Sequence, residues 1–437
     1  MSKLKVLMFG WEFPPFMSGG LGTACYGLTK GLTNKNVEVT FVIPHGPDDM
    51  RTEYVKLLIA SNTNLSKYNF KVKHVETLLA PYQSEAQYQK EYDQYVQSLK
   101  NSKTSSGGGA KLLYGKNIYD EVYRFSLAAR DIALTEEFDI IHCHDWMTFP
   151  AGIEAKRATG KPLVVHVHAT EFDRTGGNSV NDYISHIEYE GMANADRVVA
   201  VSYYTKQKIM QHYSIPAEKI TVIHNAVDFG EEKKYDIKKH EKVVLFLGRL
   251  TLQKGPDYFV EAAKRVLDYD PDVKFIIAGS GDMEARLIDR VAQLGIGHKV
   301  LFAGFISGEE VNKAYQAADL YVMPSVSEPF GITPLEALRN GVPVIISKQS
   351  GVGEVLKNAL KVDFWDIDEL ANKMISVLNY RNLHHELSKH GSIEVHSFSW
   401  NVPAQKCIDV YHEVLVDHHN NLNRSRNHDH AHHKSHA

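Results

Sequence analysis

Five short strings in this sequence combine cations, carboxylates, histidines and glycines at spacings that suit phosphate and hydroxyl chemistry. Arg249 and Lys254 stand five positions apart in Gly248-Arg-Leu-Thr-Leu-Gln-Lys-Gly255. Arginine offers a planar fork of donors and lysine a compact point charge, a pairing suited to a diphosphate that gains charge as it departs. Alone, the pair also fits two solvated surface cations; its place just after a strand argues for the cleft. Glu328 and Glu336 stand eight positions apart in Ser327-Glu-Pro-Phe-Gly-Ile-Thr-Pro-Leu-Glu336. Pro334 falls where a first helical turn tolerates it, so the backbone N–H groups around Gly331, Ile332 and Thr333 face forward from a helix start. Either glutamate alone fits a cap or a surface group, but the whole string fits a site for hydroxyls and phosphate.

The other three strings are less specific. Met17-Ser-Gly-Gly-Leu-Gly22 puts Gly19 and Gly20 between a strand and a helix, where glycine lets a ligand approach the backbone closely. A tight turn explains them as well, and Cys25 rather than glycine follows, so this is no dinucleotide fingerprint. His142-Cys-His-Asp-Trp146 and His166-Val-His-Ala-Thr-Glu171 both follow strand runs. His144, Asp145 and His168 are candidates for the cleft, whereas strand alternation makes at least one of His142 and His166 a core residue. These histidines show no His-x-x-x-His spacing on a helix, so no metal site is expected among them.

The elements that must position these groups repeat one theme: a short apolar run, a glycine or polar turn, then a segment of helical period. Strand runs are expected at Lys5–Phe9, Val37–Ile43, Asp139–Cys143, Leu163–His168, Arg197–Val201 and Ile220–Ile223, with a first helix from about Gly20 to Leu32. The pattern restarts after the polar linker 229–241, at Val243–Leu247, Lys274–Ala278, Lys299–Ala303, Leu320–Met323 and Val344–Ile346. Short strands alternating with helices predict parallel sheets wrapped by helices, an α/β fold of two Rossmann-like doubly wound domains facing across a cleft. Ligands of such sheets bind at the carboxyl ends of the strands. The expected domains are 1–228 and 242–397, a last helix 398–417 that returns to the first, and a His-rich tail 418–437 read as disordered. Residues 50–111, ending in a Ser/Gly-rich run, break the theme and are read as an insertion with a flexible tip, a candidate lid.

At 437 residues, with 43% hydrophobic and 23% charged residues, the chain suits two domains of about 200 residues each. A net charge of -4 leaves no basic excess for a nucleic-acid backbone. No apolar stretch is long enough to span a bilayer, and none near the start makes a signal segment. The three cysteines are far apart, which fits a reducing cytoplasm.

Gly19-Gly20-Leu21, His144-Asp-Trp146, His168, Arg249 with Lys254 and, above all, the 328–336 string resemble the retaining glycosyltransferases of the GT-B fold, family 4 and the related glycogen and starch synthases. The opening Glu12-Phe-Pro-Pro15 and the closing Phe398-Ser-Trp400 resemble them too, and the likeness runs from residue 4 to about 416. It implies a nucleotide-sugar donor, an α-glucan acceptor, and no cofactor or metal. Arg249 and Lys254 would then bind the departing diphosphate, Glu328 the donor sugar with Gly331–Thr333 nearby, and Glu336 the ribose. Gly19 and Gly20 would line the phosphate site, His168 the reacting sugar, and Asp145 with His144 sugar hydroxyls. One departure is Met17, where glycogen and starch synthases usually carry lysine. A non-catalytic carbohydrate binder is the alternative of another class. It has no need of Arg249, Lys254, Glu328 and Glu336 together.

Overall fold

The computed structural model describes residues 3–11, 13, 20–43, 70–74, 89–90, 92–94, 97, 117–177, 179–227, 229, 233–237 and 241–434. Its first sheet has seven strands: β1 Lys5–Phe9, β2 Glu38–Ile43, β3 Phe70–His74, β4 Ile140–His144, β5 Leu163–Val167, β6 Arg197–Ala200 and β7 Ile220–Val222. They lie in the order β3-β2-β1-β4-β5-β6-β7, every pair parallel. The second sheet has six: β8 Lys242–Leu247, β9 Val273–Ala278, β10 Val300–Gly304, β11 Leu320–Met323, β12 Val344–Ser347 and β13 Leu360–Val362. Their order is β10-β9-β8-β11-β12-β13, again all parallel. Each sheet therefore winds outward from its first strand, returns, and winds outward on the other side. The two doubly wound domains are the GT-B architecture.

Helices supply the crossovers that parallel strands require. In the first domain these are α1 Gly20–Asn34, α2 Ile118–Thr135, α3 Phe149–Thr159, the short α4 Glu171–Arg174, α5 Asp182–Asn194 and α6 Tyr203–Tyr213. In the second they are α7 Pro256–Tyr269, α8 Glu284–Gln293, α9 Glu309–Ala317, α10 Thr333–Arg339, α11 Ile367–Asn379 and α12 Arg381–Val395. Central strands such as β1, Lys-Val-Leu-Met-Phe, are buried at all but the first residue, because helices cover both faces of such sheets. Helix starts follow local chemistry: Asn117 caps α2 by accepting from Tyr119 N at 3.0 Å and Asp120 N at 2.9 Å. Pro256 opens α7 where its missing N–H costs nothing.

Two strands depart from the sequence reading. β3 lies inside 50–111, the segment expected as an insertion, and extends the first sheet beyond β2, Val39 pairing with Phe70. Phe70-Lys-Val-Lys-His74 alternates apolar and polar residues, so a search for continuous β-branched runs passes over it. β13 is only three residues long, below the length at which periodicity speaks. The Ser/Gly-rich tip at 105–109 and the lid reading lie outside the described residues.

The last helix, α13 Asn401–Lys434, packs on α1. The tail read as disordered after Asp417 is instead helical to Lys434. After Pro403 the sequence contains neither glycine nor proline, so nothing local ends the helix. A Cβ on Gly27 of α1 would lie 2.1 Å from the Trp400 ring, and one on Gly31 would lie 2.6 Å from the Trp400 carbonyl oxygen. The absence of side chains at these two positions, one turn apart, lets the chain end seat against the first domain. Gly27→Ala is expected to destabilise the protein by about 1–3 kcal/mol through overpacking. Urea unfolding measures it, and an unchanged midpoint would show that this contact is not tight.

Candidate active site

Parallel strands deliver the loops that follow them to one edge of a sheet. Here the two edges face each other across a cavity of about 1200 Å³. Gly20, Asp145 and His168 line it from the first domain, and Arg249, Lys254, Glu328, Gly331, Ile332, Thr333 and Glu336 from the second. Residues as far apart in sequence as Gly20 and Glu336 thus meet in one space. Gly19 lies outside the described residues. His144 is the exception among the expected residues: it is fully buried and sits behind His168.

On the second-domain wall, Lys254 Nζ meets Glu328 Oε2 at 2.6 Å, and Ser325 Oγ donates to the same oxygen at 3.2 Å. Arg249 Nη2 donates to Gln253 Oε1 at 3.2 Å. The loop that follows β8 therefore sets two cations at the cavity, one of them against the Glu328 carboxylate of the loop after β11. Deeper in, Glu336 is held by the Tyr315 hydroxyl, which donates to Oε2 at 3.0 Å. Burial raises the Glu336 carboxyl above its ordinary range. Tyr321 donates to Thr333 Oγ1 at 2.7 Å, tying the start of α10 to β11.

Gly279, Ser280 and Gly281 also line the cavity, and the sequence reading passed over them. The available signal was a glycine pair directly after strand β9, the same one that marked Gly19 and Gly20. Gly279 has φ +139°, and a Cβ there would lie 1.9 Å from the Gly248 carbonyl oxygen. Only glycine lets these two loops touch.

On the first-domain wall, four histidines form a grid on neighbouring strands. Ring centroids are 4.5 Å apart for His142 and His144, 5.3 Å for His144 and His166, and 4.3 Å for His166 and His168, all three pairs stacked. His144 Nδ1 lies 2.9 Å from His168 Nε2, and His142 Nδ1 lies 2.5 Å from the Tyr411 hydroxyl of α13. Burial pushes His142 and His168 down to about 3, and His144 and His166 well below the ordinary histidine range. All four are neutral imidazoles at neutral pH. Strand alternation puts His142 and His144 on the same face, which is why His144 stacks in the interior. One nitrogen each of His142, His144 and His166 lies within 4.8 Å of the others. The rings are stacked rather than splayed around a common point.

Asp145 follows β4 with φ 60° and ψ 172°, a region nearly reserved for glycine that costs about 1–3 kcal/mol. Its carboxylate repays the strain by accepting from His168 N at 2.7 Å and Ala169 N at 3.3 Å. Asp145 therefore anchors the turn that presents His168. Burial raises its carboxyl to about 7, although Arg174 and the two N–H donors pull the other way. Arg174, which the sequence reading missed, donates to Glu171 Oε2 at 3.0 Å and is bonded to Glu188. Burial disfavours its charge, but Glu188, Glu171 and Asp145 outweigh that and hold it protonated.

Residues 18–231 match the family model described as Glycosyltransferase Family 4, and residues 229–393 the one described as Glycosyl transferases group 1. An uncharacterised glycosyltransferase of Methanocaldococcus jannaschii is 31% identical over 93% of this chain and 98% of its own length. The chain belongs to the family 4 type of GT-B glycosyltransferases. A D-inositol 3-phosphate glycosyltransferase of Salinispora tropica is 26% identical over 68% of both chains. A glycogen synthase of Mycobacterium tuberculosis is 25% identical over 81% of this chain and 80% of that one. Among solved structures, sucrose-phosphate synthase of Thermosynechococcus elongatus shares the fold with a TM-score of 0.71 at 17% identity, covering 95% of this chain and 100% of that one. Among the described residues no helix is long and apolar enough to cross a membrane.

The buried histidines make stability acid-sensitive, with a definite sign. Below pH 6.5 an unfolded histidine takes a proton that folded His142 refuses until about pH 3, so its contribution to stability is lost as pH falls through that window. Asp145, raised to about 7 from 3.8, acts in the opposite sense. Replacing His142 with Gln is expected to flatten the fall in unfolding free energy between pH 6 and 4.5 by about 1.4 kcal/mol per pH unit, one proton's worth. Urea titrations across that range measure it, and an identical slope in the variant would mean that folded His142 titrates normally.

Proposed function

We propose that this protein is a retaining glycosyltransferase that moves a glucosyl unit from ADP-glucose or UDP-glucose to an α-glucan acceptor. The observation that carries the donor half is the meeting of Arg249, Lys254, Glu328 and Glu336 at one cavity. A diphosphate seated between Arg249 and Lys254 has its developing charge met by both cations, the work a metal does in other transferases. The reading therefore needs no metal and no cofactor. Glu328, already within reach of Lys254, holds donor-sugar hydroxyls beside the cation that meets the phosphate. Glu336 has one oxygen taken by Tyr315 and offers the other to the ribose.

Gly20, at the amino end of α1, completes the phosphate site from the first domain. His168 faces the reacting sugar as a neutral imidazole, which can hydrogen-bond to a hydroxyl but brings no charge. Asp145 reaches the acceptor side of the cavity, and His144 acts through His168 rather than on the sugar. In the reaction, the bond from the anomeric carbon to the phosphate oxygen breaks while the acceptor oxygen bonds on the same face. The acceptor proton passes to the departing phosphate.

The acceptor half is supported by the likeness to a mycobacterial glycogen synthase over four fifths of the chain and by the His-Asp-Trp string. A second reading keeps the donor chemistry and changes the acceptor to a small-molecule, lipid-linked or cell-surface one. Met17 in place of the synthases' lysine and the likeness to an inositol-phosphate transferase favour it.

Arg249→Ala and Lys254→Ala are each expected to lower turnover by roughly 10²–10³, the scale for losing one charge-stabilising group, with chelator leaving the rate unchanged. Wild-type rates in both variants would remove the leaving-group role. Nucleoside diphosphate release from ADP-glucose and from UDP-glucose, with and without glycogen, separates the acceptors. Glycogen-dependent release is expected. Release or donor binding that ignores glycogen would favour the second reading.

A further inference from the structure

We propose that Asp173 and Lys208 of the first domain are positioning residues for Glu328 of the second, acting through the hydroxyl of Ser327. The proposal rests on the reading of Glu328 as a donor-sugar ligand. Ser327 Oγ donates to Asp173 Oδ1 at 2.6 Å, receives Lys208 Nζ at 2.9 Å and lies 3.2 Å from the Tyr204 hydroxyl. A carboxylate only accepts and an ammonium only donates. Ser327 therefore gives its one proton to Asp173 and fills its two lone pairs from Lys208 and Tyr204. Every hydrogen-bonding capacity of that hydroxyl is used, and all three partners come from the other domain.

The socket exists independently of Ser327. Lys208 Nζ lies 2.9 Å from Asp173 Oδ1, and the other Asp173 oxygen accepts from Thr170 N and Thr170 Oγ1, each at 2.8 Å. Asp173 is completely buried, and Lys208, Ser327 and the Thr170 N–H outweigh burial to keep it ionised. Asp173 and Lys208 share a domain, so opening the cleft leaves their pair intact and removes only the serine. The residue on the other side of Glu328 is held in the same way: Pro329 O accepts from Ser202 Oγ at 2.5 Å and from Thr205 Oγ1 at 3.3 Å.

Glu328 thus has both chain neighbours pinned by the first domain, while its carboxylate is bonded by Lys254 and Ser325 of its own. Closing the cleft sets the backbone that aims the carboxylate. Thr170 and the short helix α4, which carries Asp173, follow directly after His168, so one segment serves both walls. At the nucleotide end of the cavity, Tyr315 bonds to Glu336 and Thr333, whereas the socket residues bond to Thr170, Tyr204 and one another.

The test compares Ser327→Ala, Ser327→Thr and Asp173→Asn in the full chain. Initial rates with UDP-glucose and ADP-glucose are set beside dissociation constants for UDP and ADP from calorimetry. Ser327→Ala is expected to lower kcat/KM roughly tenfold to a hundredfold, the scale for losing a hydrogen bond to charged partners. Nucleoside diphosphate affinity should stay within about twofold of wild type, because its proposed ligands are untouched. Ser327→Thr keeps the hydroxyl and should recover most of the rate, and Asp173→Asn should behave as Ser327→Ala does. Unchanged kcat/KM in Ser327→Ala overturns the proposal, as does a loss of nucleotide affinity in step with rate, which would mark general damage. Wild-type protein that binds nucleoside diphosphate but turns over neither sugar nucleotide would overturn the donor reading itself, a result distinct from either.

Discussion

A parallel sheet sends every strand's carboxyl end, and the loop after it, to the same edge, because each crossover helix must carry the chain back to where it started. Two such sheets in one chain give two edges, and this protein sets them face to face. Gly20, Asp145 and His168 come from the ends of β1, β4 and β5. Arg249, Gly279 and Glu328 come from the ends of β8, β9 and β11. No local feature of the sequence brings these residues together. The site is a consequence of strand direction and of the seating of one domain on the other.

That seating concentrates polar groups where water is scarce, and the protein answers in two ways. Histidines stack in a neutral grid, since burial makes their charged forms too costly. Charges that must remain are paired several deep: Arg174 lies among Glu171, Glu188 and Asp145, and Asp173 is held by Lys208 and a threonine cap. Breaking one member of such a network leaves a buried charge exposed to its full desolvation cost. The networks therefore act less as a source of stability than as fixed supports for Asp145, His168 and Glu328 at the cavity surface.

The same economy appears where backbone meets backbone. Gly279 admits the neighbouring carbonyl of Gly248, while Gly27 and Gly31 admit Trp400 and the helix behind it. α13 then brings Tyr411 onto His142, so the end of the chain closes over the histidine grid. The first domain is complete only when the last helix has returned across it.

Much of this was written in the sequence. Apolar runs of three to seven residues alternating with helical periods specify doubly wound sheets, because only parallel strands covered on both faces need to be apolar throughout. The spacing of Arg249 to Lys254 and of Glu328 to Glu336 marked the second-domain wall before any fold was known. What the sequence left undecided was everything set by contact between distant elements. Strand β3, alternating and at an edge, carries too weak a pattern to be seen. His144 reads like His168 in sequence, yet His144 still lies within β4 and is buried, while His168 lies just past the end of β5 and reaches the cavity. The serine at 327 looks like one more polar loop residue until the other domain places an aspartate, a lysine and a tyrosine around it. Local chemistry determines which residues are able to react; the packing of one sheet edge against another decides which of them share a site, because that depends on approaches between atoms hundreds of residues apart.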